Sequence, residues 1–204
     1  HGGAHHKFEL GPFTNSVVMT EKWRLVNTDR AQELYDIQSD PSQRNNIARQ
    51  RPEIVKNLRT AYQSFWQRVS PGLKPVAIDI GDLTENPSVL CSQDWRPETG
   101  NPPWNFSSIK KIPKVTYPWL VNVLKAGKYR FTLRQWPKEA DKPIVGVKAK
   151  IKIAGVEKEA LIKDGSKEID FTLSLPSGIT ELWTYIYNQQ GQVGGAYFTE
   201  VEKL

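Results

Sequence analysis

Cysteine is almost missing from this chain. Cys91 stands alone among 204 residues, so no intrachain disulfide can form and the redox compartment is not written in bridges. Long apolar runs are missing too. Nothing approaches the roughly 20 consecutive apolar residues that a helix needs to cross a bilayer, which excludes a helical membrane span. Histidine is confined to His1, His5 and His6. The opening HGGAHHKFEL has neither the charged start nor the apolar core of a signal peptide. It also lacks an initiator Met, and the expected object is a fragment whose natural start lies upstream.

Clustered charge of one sign is absent as well. The formal net charge is +6, yet the basic residues are scattered, and a nucleic-acid surface needs them gathered on one face or tract. No nucleic-acid partner is expected. Lys148, Lys150 and Lys152 do alternate, which at a strand's period of two places all three on one face, the solvated side of a half-buried strand. With 38% hydrophobic and 25% charged residues, the composition is that of an ordinary globular chain, long enough for a small subdomain followed by a full domain.

What is present is organised in two blocks. SVVMT and KWRLVN are β-rich runs separated by the turn-like Glu21 and Lys22, and ELYDI is a third short strand candidate. Asp40-Pro41 breaks this pattern. From Pro52 the period becomes helical: Ile54, Val55, Leu58, Ala61, Tyr62, Phe65, Trp66 and Val69 share one face, with Pro52 suited to the first turn and Ser70-Pro71-Gly72 ending the helix. That face is wide and aromatic, and three short strands are expected to cover most of it but not its edge at Trp66.

Beyond SPGLKP the pattern is almost wholly β, with candidates at VAIDIG, SVLCS, WLVNVL, KYRFTLRQW, VKAKIKI, KEALIK, EIDFTLSL, ELWTYIYN and GAYFTEV. Turn signals at Lys125-Ala126-Gly127, Asp164-Gly165-Ser166, Pro176-Ser177-Gly178 and Gln190-Gly191 separate several of them. The expected fold is α+β: a small antiparallel sheet with one long helix in 1–70, then an antiparallel β-sandwich or jelly roll in 71–204.

The order VVMTEKWRLVN…ELYDIQSDPSQRNNIARQRPEIVKNLRTAYQSFWQRV resembles the C-terminal subdomain of the sulfatase family, the alkaline-phosphatase-like sulfuric ester hydrolases. Trp23, Arg24, Leu25, Glu33, Leu34, Tyr35, Asp36, Asp40, Pro41, Asn46 and Ala48 carry the likeness, over about Ser16 to Val69. The later runs IDIGDLTENPSVLCSQDW, PPWN, AGKYRFTLRQWP and GGAYFTEV resemble a β-sandwich extension found after that subdomain in some bacterial sulfatases.

The resemblance implies a large catalytic domain on the N-terminal side as missing partner, and a sulfated carbohydrate or aryl sulfate as substrate of the whole enzyme. It further implies calcium, a formylglycine made from a C/S-x-P-x-R motif, and a periplasmic or secreted home. A cation that orients the sulfate oxygens would offset the charge developing in sulfate-ester hydrolysis. This chain carries no cofactor machinery that the sequence can identify. Cys91 in CSQDW lacks the Pro and Arg of the motif, and Ser39-Asp40-Pro41-Ser42-Gln43 has Gln43 where Arg belongs. The chain alone is expected to be inactive.

Two groups remain as substrate-contact candidates. His5, His6 and Lys7 lie on a stretch that, by analogy with the family, enters the subdomain beside the substrate pocket; with no Cys or Asp ligand nearby they suggest no metal site. Trp95, Trp104 and Asn105, with Asp94 and Arg96, belong to the run CSQDWRPETGNPPWNFSS, where flat rings and planar polar groups suit a sugar. The plainer reading of its tryptophans is a buried plug. Trp119, Trp136 and Trp183 read as core residues, Cys91 as a buried small hydrophobe, and Arg134 as half of a structural ion pair. The alternative to a sulfatase segment is a freestanding carbohydrate-binding or cell-surface β-sandwich module.

Overall fold

The structure, a computed structural model, describes residues 13, 15–28, 31–72, 75–97, 102–103, 106–110 and 115–204. The described residues divide into two compact units, 13–72 and 75–204.

In the first unit, strands β1 (Ser16–Met19), β2 (Trp23–Asn27) and β3 (Gln32–Asp36) form an antiparallel sheet in sequence order. The β1–β2 turn is closed by Thr20, whose hydroxyl accepts the Trp23 backbone N–H at 2.9 Å. Asn46 ties the following loop down: its side-chain oxygen accepts the N–H groups of Leu34 at 3.1 Å and Ala48 at 2.9 Å. Helix α1 (Pro52–Val69) has Pro52 in its first turn, Glu53 near its N-terminus and Arg68 in its last turn, each suited to its end of the helix dipole. Leu25, Leu34 and Leu58 form the buried centre, with Val18, Trp23, Ile47, Ala48, Ile54 and Val55 packed around it.

The second unit is a β-sandwich. One sheet has four strands in the order β10 (Ile169–Leu175), β7 (Gly127–Arg134), β13 (Phe198–Lys203) and β5 (Ser88–Cys91). The other runs β4 (Ile78–Ile80), β6 (Trp119–Val123), β11 (Gly178–Tyr187), β8 (Lys148–Ile153) and β9 (Val156–Leu161), with β12 (Val193–Gly194) paired to β11. A short helix, α2 (Phe106–Ile109), lies in sequence between β5 and β6.

The expected antiparallel sandwich is present, with one parallel pair in it. β4 runs parallel to β6, with Ile78 opposite Val121 and Ile80 opposite Val123. Between them the chain visits β5 in the opposite sheet, and this long excursion supplies the crossover that parallel neighbours require.

Alternation builds the core. In β8, Ala149, Ile151 and Ile153 are buried between the sheets while Lys148, Lys150 and Lys152 face away, as the period of two dictates. Tyr129, Phe131 and Leu133 of β7 meet Leu182 and Ile186 of β11 within the same cluster. Trp119 is fully buried and donates its indole N–H to the Cys91 carbonyl at 2.7 Å; Trp136 is buried as well. Arg134 is indeed an ion-pair residue: its Nε reaches Glu168 at 2.8 Å and its Nη1 reaches Glu200 at 3.0 Å.

Candidate functional site

His5, His6, Lys7, Trp104 and Asn105 lie outside the described residues. Trp95 is described, and it is fully buried. Its ring centroid lies 5.5 Å from Trp119, 5.8 Å from Tyr197 and 6.2 Å from Tyr117. Gly195 makes room for it, since a Cβ there would sit 2.6 Å from the indole ring. Enclosed in this way, Trp95 presents no face to a sugar and fills the end of the sandwich as a plug.

Cys91 departs from the buried-hydrophobe reading. It is half-buried at the end of β5, with its sulfur 3.3 Å from an Asp94 carboxylate oxygen. Burial, joined by the Asp94 charge, pushes its thiol pKa up. A thiol so placed stays protonated near neutral pH and is a poor nucleophile.

The described residues do not fit a formylglycine and calcium centre. Ser39 and Pro41 sit in the turn after β3, where the Asp36 carboxylate accepts the Gln38 N–H at 3.1 Å and the Asp40 carboxylate accepts the Asn45 N–H at 2.8 Å. The backbone N–H groups of Asn45 and then Arg44 hold the Asp40 carboxyl below its usual pKa. These carboxylates serve as turn caps. Among the described residues, no three His, Cys, Asp or Glu side chains come together as metal ligands.

Helix α1 is less covered than its sequence pattern suggests. Leu58 is its one buried residue, Trp66 is half-buried, and Phe65 and Val69 are 46% and 37% exposed. The sheet was expected to shield most of the stripe, but length decides otherwise. Eighteen residues of helix span about 27 Å, and a five-residue strand only about 17 Å. Tyr62 finds ring neighbours in Phe13 at 5.5 Å and Phe65 at 6.1 Å, outside the leucine core. On the other face of the small sheet, Val17 and Met19 are exposed and the buried Arg24 Nε has no partner.

The six-stranded sheet carries a second concentration of aromatics, on the side away from the core. Leu182, Thr184 and Ile186 of β11 are buried, and Trp183, Tyr185 and Tyr187 between them are half-buried on the outer face. Trp183 and Tyr185 have centroids 6.3 Å apart with planes 9° from parallel; Tyr185 and Tyr187 are 6.5 Å apart and 22° from parallel. Register sets Lys152, Lys150 and Lys148 opposite these rings, with Lys150 Nζ 5.4 Å from the Tyr185 ring and Lys148 Nζ 4.5 Å from the Tyr187 ring.

On the far side of the lysines, Glu157 pairs with Lys150 at 2.8 Å and Lys152 at 3.4 Å, and Glu159 pairs with Lys148 at 3.2 Å. Glu181 accepts the Trp183 indole N–H at 2.9 Å. The reading of Trp183 as a core residue is therefore corrected. In ELWTYIYN both alternating rows carry large apolar or aromatic side chains, Trp183, Tyr185 and Tyr187 on one and Leu182 and Ile186 on the other, so period alone does not choose the inner row. The aliphatic Leu182 and Ile186 go inside, leaving the ring-bearing row, with its polar tips, outside.

No protein-family model matches the chain. A stretch of 43 residues is 44% identical to the N-acetylgalactosamine-6-O-sulfatase of Bacteroides thetaiotaomicron, covering 21% of this chain and 8% of that enzyme. The match is thus to a short piece of a much longer curated relative. Among solved structures, a ruminal GH26 endo-beta-1,4-mannanase aligns over 61% of this chain and 27% of its own, at a TM-score of 0.39 and 16% identity. The Bacillus subtilis protein YXIM aligns over 43% and 22%, at 0.31 and 16%. Likenesses this remote say nothing about function. The short sequence match relates the chain to a sulfatase.

Proposed function

We propose that this chain is a C-terminal portion of a sulfuric ester hydrolase, in which the first unit seats a large catalytic domain and the β-sandwich follows as an extension. The 44% identical stretch carries the reading. The under-covered half of α1, with Phe65 and Val69 exposed, supports it, because an apolar helix face of this kind is what a neighbouring domain buries. The whole enzyme would hydrolyse a sulfated carbohydrate or aryl sulfate, with formylglycine and calcium held by the catalytic domain, in the periplasm or after secretion.

The test is turnover. Purified chain incubated with 4-nitrophenyl sulfate and calcium is expected to release no sulfate, and its tryptic peptides are expected to contain unmodified Cys91 and Ser39. Measurable release, or formylglycine at either position, contradicts the proposal. A second reading, a freestanding carbohydrate-binding or cell-surface module, is favoured by the aromatic row on the outer face of the six-stranded sheet.

A further inference from the structure

We infer that Trp183, Tyr185 and Tyr187 form a binding row for an extended, uncharged polysaccharide. This deepens the second reading by naming a site and a ligand class, and it moves sugar contact from the run around Trp95 to the sheet. It holds whether the module stands alone or follows a catalytic domain.

Three observations lead to this ligand. The centroid spacings of 6.3 and 6.5 Å follow the advance of about 6.6 Å per two strand residues. The rings therefore repeat along a nearly straight line, which suits an extended chain better than a coiled or branched one. Glu181 holds the Trp183 indole through its N–H, so one ring is oriented before any ligand arrives, which lowers the ordering cost of binding.

Charge is the third. Lys148, Lys150 and Lys152 are met by Glu157 and Glu159 across the ladder, and Glu181 stands at the Trp183 end of the row, on the indole N–H. Three positive and three negative side chains leave no net charge beside the rings. An anionic polymer would gain attraction from the lysines and lose it to the carboxylates. A neutral glycan instead meets half-buried aromatic surface for its C–H groups, with ammonium donors and carboxylate acceptors beside it for its hydroxyls.

The experiment is native affinity electrophoresis of the full chain through gels containing hydroxyethyl cellulose, glycogen or chondroitin sulfate. Trp183→Ala and Tyr185→Ala run alongside, each checked for an unchanged thermal melt. The expected result is retardation by hydroxyethyl cellulose that persists in high salt, little retardation by glycogen, and binding weakened roughly ten-fold or more in at least one folded variant. Retardation that both folded variants retain in full overturns the row while leaving a carbohydrate-binding module in place. No retardation by hydroxyethyl cellulose, or retardation by chondroitin sulfate alone that salt abolishes, overturns the inferred ligand.

Discussion

Trp95 and Trp66 are the same side chain in opposite settings, and the contrast is measurable. Trp95 is sealed among Trp119, Tyr197 and Tyr117, so Trp95→Ala is expected to cost about 3–5 kcal/mol in a denaturant titration. Trp66 is half-buried on the poorly covered half of α1, and Trp66→Ser is expected to cost well under that range; an equal loss would place Trp66 in a core. Tyr197 makes a pH-dependent prediction. Burial pushes its phenol up to about 12, and its O–H donates to the Ser108 carbonyl at 2.8 Å. An acid whose folded pKa is raised contributes stability that is complete below its unfolded value, near 10, and lost as pH rises toward the folded one. Thermal melts should therefore fall steeply between about pH 10 and 12. Tyr197→Phe should flatten that fall while costing roughly 0.5–1.5 kcal/mol at neutral pH through the lost hydrogen bond. An unchanged alkaline limb in Tyr197→Phe would contradict this assignment.

At the scale of elements, what the sequence made legible was whatever has a local cause. Helix α1 begins at Pro52 and ends before Ser70, because proline, the 3.6-residue period and the SPG stop all act within a few residues. Each candidate run beyond SPGLKP became a strand for the same reason. The parallel β4–β6 pair was not legible, since its direction depends on a detour through the other sheet. Nor was the β8–β9 turn. Ala154 and Gly155 both have positive φ, 48° and 76°, the demand of a type I′ hairpin turn, and alanine gives no signal of it. The left-handed conformation costs a non-glycine residue roughly 1–2 kcal/mol, a cost asparagine bears more readily. Ala154→Asn is accordingly expected to raise the melting temperature of the chain, and a lower one would show that the alanine methyl is needed where it sits. The aromatic row of β11 was hidden for a related reason: choosing between Leu-Thr-Ile and Trp-Tyr-Tyr as the inner row requires the opposing sheet, which no single strand records.

For the molecule as a whole, the two units differ in how well each accounts for its own surface. The sandwich closes a continuous core between its sheets. The first unit gathers three leucines and their neighbours and leaves the C-terminal half of α1 beyond them, with Val17 and Met19 exposed on the opposite side of its sheet. The proposed catalytic domain would bury such surface, and the sequence foresaw the uncovered edge at Trp66 although it overestimated how far three short strands reach. The central proposal is that the first unit is built to serve a sulfatase. The most direct measurement replaces the matched segment of the Bacteroides N-acetylgalactosamine-6-O-sulfatase with the corresponding 43 residues of this chain and assays sulfate release. A soluble chimera that retains sulfatase activity is the expected result. A chimera that folds, with the parent's melting behaviour, yet releases no sulfate would contradict the account.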